Sequence, residues 1–167
     1  SAIKYLAKFS KLMRLTLENS KETEIQLYKE IELLQQYCEL EKLRYENKFD
    51  YEIHQSKSIH DELKIPPMLL QPLIENAIMH GIVPKSSKGK IDIYFDYHPE
   101  KKSLSCTIKD NGIGYFESIK IKKKSVLQHH SMALEVLKNR VEAIGGSFNI
   151  EEYVEQNQIA GTIIAIQ

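Results

Sequence analysis

The sequence predicts an α/β fold, a two-layer sandwich preceded by an α-helical hairpin, and three observations carry that prediction. Residues 1–46 hold two apolar patterns at three- and four-residue steps, the signature of paired amphipathic helices. A central stretch, Ile65–Gly81 (IPPMLLQPLIENAIMHG), repeats Leu70, Leu73, Ile74 and Ala77 at the same spacing. Around it, Lys48–His54, Lys90–Tyr97, Ser103–Lys109, Ser147–Val154 and Gly161–Ile166 read as strands. Strands, helices and further antiparallel strands in this order stack as one sheet under one helical layer.

In chain order, the first helix is expected from Ile3 to Asn19, with Leu6, Phe9, Met13 and Leu17 as its stripe. Asn19-Ser20-Lys21 breaks it, and a second helix runs from Ile25 to Tyr45 on Leu27, Ile31, Leu34 and Cys38. Neither helix buries its stripe alone, so the hairpin must pack on a second copy or on the domain that follows. Residues 47–167 form that second domain, entered by a strand with Phe49, Tyr51 and Ile53 on one side. Pro66 and Pro67 suit the first turn of the central helix, and Pro72 should kink it or end its first turn. Two strands joined by His98–Lys102 follow; residues 115–130 are lysine-rich and show no clear period. The last helix, Ser131–Ile144, is stopped by Gly145-Gly146, with Ser131 as its N-terminal cap.

Composition narrows the function classes. Twenty-three basic residues balance twenty-three acidic ones, so no global field draws in nucleic acid or an anionic membrane. Hydrophobic residues at 42% and charged ones at 28% are ordinary for a globular domain. No apolar run approaches the ~20 residues of a membrane-spanning helix, and no signal peptide is visible. Cys38 and Cys106 stand alone, outside any metal-ligand spacing, and read as reduced, buried thiols.

Two short motifs carry chemistry. On the central helix, at about 100° per residue, Asn76 and His80 project from one flank of the apolar face, with Gln71 and Glu75 on the other. A polar pair at the edge of a buried stripe is costly unless something polar docks there. The second motif, Asp110-Asn111-Gly112-Ile113-Gly114, closes the strand Leu104–Ile108. It fixes a carboxylate at a strand end, an acceptor for an exocyclic amine, beside glycines that let a flat ring or phosphate approach the backbone. Each motif alone is ordinary; helices often carry satisfied polar edges, and Asp-Asn-Gly is a common turn.

Together, and in this order, the motifs resemble the asparagine box and first glycine box of the ATP-binding domain of bacterial sensor histidine kinases. The wording IPPMLLQPLIENAIMHG is most similar to the LytS-like group, and the helical lead-in and Gly161-Thr162-Ile163-Ile164 fit its pattern. The resemblance implies the Bergerat-type sandwich and ATP with Mg2+ as cofactors. It implies a metal-ligating Asn76, Asp110 on the adenine amine, and Gly112 and Gly114 where the lid begins. Thr162 takes the place of a hydroxyl near the nucleotide, and His80 stacks on the base, touches a phosphate, or is simply a core-edge histidine. Residues 115–130 become the ATP lid, with Lys120, Lys122, Lys123 and Lys124 near the phosphates or merely solvated.

The resemblance also implies residues 1–46 as the remainder of a dimerising, phospho-accepting helical region, hence a homodimer. A response regulator, of the LytTR type in many relatives, is the implied partner. The fragment is expected in the cytoplasm, with a plasma-membrane anchor only in a region upstream. Two departures stand out. The second glycine box is replaced by Ser131 and Ala133, and none of His54, His60, His98, His129 and His130 lies in an Asn-Pro-His-Phe-like phospho-acceptor stretch. A related ATP hydrolase and a non-catalytic pseudokinase are the alternatives; Pro72 stands where the hydrolases carry a water-activating glutamate.

Overall fold

The computed structural model describes the backbone of residues 2–124, 129–156 and 158–166, and the side chains of these except 121–131, 158 and 164–166. The order is α1 (Ala2–Asn19), β1 (Ile25–Gln26), α2 (Leu27–Arg44), β2 (Phe49–Gln55), β3 (Lys64–Ile65), α3 (Gln71–Asn76) with a π-helical continuation (Ala77–Ile82), β4 (Gly89–His98), β5 (Ser103–Asp110), α4 (Tyr115–Lys124), α5 (His129–Ala143), β6 (Phe148–Glu155) and β7 (Gln158–Ile166). The expected α/β class and the leading helical hairpin are both present.

The main sheet is ordered β2-β4-β5-β7-β6. β2 and β4 are parallel and α3 lies in the crossover between them, whereas the other neighbours are antiparallel. Alternation along β4 explains its two faces: Ile91, Ile93 and Phe95 are buried, and Lys90, Asp92 and Tyr94 point outward. The inward residues of β2, β4 and β5 share one core with Leu33 and Leu34 of α2, Leu73 and Ile74 of α3, and Leu134, Leu137 and Val141 of α5. Thus α2 is a wall of the sandwich as well as half of the hairpin. β1 stitches it further, pairing Ile25 with Ile65 and Gln26 with Lys64 of β3.

The central stretch departs from the expectation at its start. Pro66 and Pro67 precede the helix in a turn, and Pro72 takes the first-turn position assigned to them, where a missing N–H is harmless. The cause is non-local: Met68 is held at a left-handed φ of +59° and the N–H groups of 68–70 donate to Glu30 of α2, so the helix begins only at Gln71. After Asn76 the hydrogen bonding changes register, with Val83 N–H donating to Ile78 five residues back. Such π segments are often found at functional sites.

Two further corrections concern residues 115–143. Tyr115–Lys124 forms a helix although its sequence has no clear period; Ser118 is buried there and donates to the Tyr115 carbonyl at 2.6 Å. The last helix already runs at His129, so Ser131 lies inside it and is not its cap. The Lys122, Lys123, Lys124 and Ser131 side chains, and the 125–128 portion of the expected lid, lie outside the described residues.

Candidate functional site

The two sequence motifs meet at Gly81. Asp110, last in β5, is aligned between Ile91 and Thr162 of its neighbours, and its side chain enters the layer occupied by the helix. A Cβ on Gly81 would stand 2.6 Å from the Asp110 Oδ1, so only glycine lets the helix rest on that carboxylate. Gly112 is pressed equally close to the Gly81 backbone, and the Ile113 N–H donates to the Gly81 carbonyl at 3.0 Å. Gly114 is required for a different reason: its φ of +90° is left-handed, and Glu152 Oε1 stands where its side chain would go. Glu152 also accepts the Phe116 N–H at 2.8 Å, fixing the start of α4.

Asp110 is almost fully buried, and burial holds its carboxyl up at about 7. Backbone bonds from Gly112 and Thr162 and the charge of Lys85 favour the ionised form but do not offset the desolvation. The Gly112 N–H donates to Asp110 Oδ1 at 2.8 Å. Lys85, in the loop between the π-helical segment and β4, donates from Nζ to the Asn111 carbonyl at 2.6 Å. Only the fold brings it near Asp110. Thr162 is itself buried beside Asp110.

Asn76 and His80 line a narrow hollow with Pro72, Glu75, Ala133 and Leu134. Glu75 also borders this hollow, and its charge acts on Tyr37, Glu41 and Tyr45 at the α2 side. The Asn76 Oδ1 is buried and has no hydrogen-bond partner among the described residues. An orphaned amide oxygen is the donor a hard divalent cation takes, so this side chain fits Mg2+.

Asp110 and Asn76 do not open onto one cavity. The Asn76 hollow holds about 10 Å³, closed by Ala133 and Leu134 of α5. Asp110 borders a separate, open depression with Lys90, Asp92, Lys109, Asn111, Tyr153 and Glu155. The two hollows are thus separate, with the Gly81 backbone bearing on the Asp110 side and α5 over the other.

Residues 1–49 match the family model described as Histidine kinase. The chain is 35% identical over 114 residues to Sensor protein LytS of Oceanobacillus iheyensis, a match covering 68% of this chain and 19% of that protein. It is 30% identical over 165 residues to Sensor protein LytS of Staphylococcus saprophyticus, covering 95% of this chain and 27% of the relative. It therefore spans between a fifth and about a quarter of these relatives. Among solved structures, the nucleotide-free catalytic domain of histidine kinase ThkA superposes with a TM-score of 0.57 at 20% identity, over 86% of this chain and 92% of that one. Acinetobacter baumannii histidine kinase AdeS gives 0.58 at 18%, over 98% and 78%. With a shared fold, a helix and Asp-Asn-Gly turn joined at Gly81, and one relative matched over 95% of its length, the chain corresponds to a part of the LytS-like histidine kinases.

Proposed function

We propose that this chain is the ATP-binding catalytic portion of a two-component sensor histidine kinase, presenting the γ-phosphate of ATP to a histidine outside these residues. In this reading residues 47–167 are the ATP-binding domain and 1–46 the remainder of the dimerisation and phospho-acceptor region. The observation that carries it is the junction at Gly81, which sets a buried carboxylate against the helix bearing an unsatisfied amide oxygen. Asp110 accepts the adenine amine, with Gly112 and Gly114 giving the ring access and Thr162 beside it. Asn76 holds Mg2+, whose chemistry is to neutralise charge on the phosphate oxygens. His80, on the same hollow as Asn76, contacts the base or a phosphate.

Because Ala133 and Leu134 close the Asn76 hollow, binding requires the start of α5 to withdraw from it. Pro72 borders the hollow and offers no group to activate water, which argues against hydrolysis as the purpose of the site. The exposed α1 residues Ile3, Leu6, Met13 and Leu17 form the surface for a homodimer. A response regulator, of the LytTR type, would take the phosphoryl group onward. No described helix is long and apolar enough to cross a membrane.

Titration with Mg-ATP tests the assignment. Asn76→Ala should weaken binding in Mg2+ far more than in a chelator, and Asp110→Asn should weaken it in both. Undiminished binding by both variants would refute the site. The closed hollow also favours a second reading, a non-catalytic interaction module, and failure of the unmodified chain to bind any adenine nucleotide would select it.

A further inference from the structure

The backbone leading into the nucleotide helix is held from both sides by side chains that no motif singles out. Glu30, in the first turn of α2, is fully buried. Its Oε1 accepts the N–H groups of Leu69 at 3.0 Å and Leu70 at 3.1 Å, and its Oε2 accepts that of Met68 at 3.2 Å. From α5, Arg140 donates Nη1 to the Met68 carbonyl at 3.3 Å and Nη2 to the Pro67 carbonyl at 3.1 Å. One carboxylate thus takes three consecutive amides of the turn, and one guanidinium takes two of its carbonyls. Met68, at the centre, has φ +59°, a conformation a methionine seldom adopts unless its surroundings fix it.

What this turn positions is specific. Leu70 is the N-terminal boundary residue of α3 and caps it with no side-chain bond of its own; its carbonyl receives the Leu73 and Ile74 N–H groups. Asn76 lies six residues further along the same rigid helix. Burial raises the Glu30 carboxyl, while the three amides and Arg140 favour its charged form.

We propose that Glu30 and Arg140 are a two-sided clamp that sets the position of the Asn76-bearing helix, making Glu30 a positioning residue for the metal-phosphate half of the nucleotide site. This rests on the reading of Asn76 given above. The consequence is directional. Glu30 belongs to the helical hairpin, so displacement of the hairpin is delivered to the amide that ligates Mg2+. The adenine half is anchored separately, by β5 and β7 through Asp110 and Thr162.

The test measures nucleotide affinity in the full chain with and without Mg2+, well below the unfolding temperature. Glu30→Gln preserves shape but turns an amide NH2 toward at least one of the three N–H groups. It should weaken Mg-ATP binding about tenfold, the equivalent of one charge-assisted hydrogen bond, and leave metal-free ATP binding within twofold. Arg140→Ala, at an exposed position, should give a smaller loss of the same metal-dependent kind. Leu12→Ala, which removes a buried contact of α1, serves as the control that lowers stability without touching the clamp. Equal losses with and without Mg2+, or a loss in Leu12→Ala matching that of Glu30→Gln, would reduce Glu30 to a structural role and overturn the clamp. Wild-type affinity in both clamp variants would overturn it also, with the nucleotide reading intact. An unmodified chain that binds no Mg-ATP would sink that reading and the clamp together.

Discussion

α1 and α2 are helices of equal length, 18 residues each, with opposite fates. α2 buries Leu27, Ile31, Leu33, Leu34, Cys38 and Leu40 against the sheet and α3. α1 touches α2 along one side, through Leu12 and the Lys8–Glu39 and Lys11–Glu32 ion pairs. It leaves Ile3, Leu6, Phe9, Met13 and Leu17 between 41% and 81% exposed. Four of these five were the stripe that periodicity marked for burial. The lesson is that a repeat of apolar residues tells how a helix is faced, not what covers the face. α2 found its cover within the chain, and the α1 stripe is large enough to ask for another.

The comparison can be broken most severely at Leu34, which is fully buried on α2. Leu34→Ala should cost about 3 kcal/mol in denaturant unfolding, from lost transfer energy and the cavity left behind. A change below about 1 kcal/mol would mean that α2 is not a wall of the core.

Next in size is the buried charge on the sheet side. The Asp110 carboxyl is held at about 7 in the folded chain, against about 3.9 when unfolded. A raised carboxyl binds its proton more tightly when folded. Its contribution to stability is therefore complete below about pH 4 and is lost as pH rises through about 7. Wild type should lose about 2 kcal/mol relative to Asp110→Asn between those limits, allowing for relaxation of the site. Parallel pH profiles for the two proteins would contradict it. On the proposed function nucleotide binding runs the other way, because the ionised carboxylate is the stronger acceptor for the adenine amine; affinity should fall as pH drops from 8 to 6.

The smallest effect on folding belongs to α1. Leu6→Asp and Leu17→Asp should change the unfolding free energy of the monomer by no more than about 0.5 kcal/mol, as exposed substitutions do. In light scattering the same variants should abolish self-association of the chain. Unchanged association would leave the α1 stripe without the role given to it here.

Much of the molecule was legible because its causes are local. Two amphipathic periods gave α1 and α2, strict alternation gave β4, and Asp-Asn-Gly marked the end of β5 with its carboxylate. What was illegible depends on groups far apart in the chain. The two-residue pairing of β1 with β3 is too short to leave a pattern. Glu30 looks like any helix-surface acid until Met68, Leu69 and Leu70 arrive with free amides. Lys85 and Glu152 likewise acquire meaning only from the strands and turns they meet. The register change to a π-helix after Asn76 left no mark in the apolar period either.

By itself, then, the sequence determined the α/β class, the hairpin ahead of it, and the two motifs that the fold joins at Gly81. Periodicity and turn chemistry act within a few residues and survive in the linear text. The tertiary structure decided that Gly81 would carry the helix onto Asp110, that α5 would close over Asn76, and that α1 would keep its apolar stripe in the open. Those outcomes are set by close approach, and two residues approach closely only when the whole chain has folded around them.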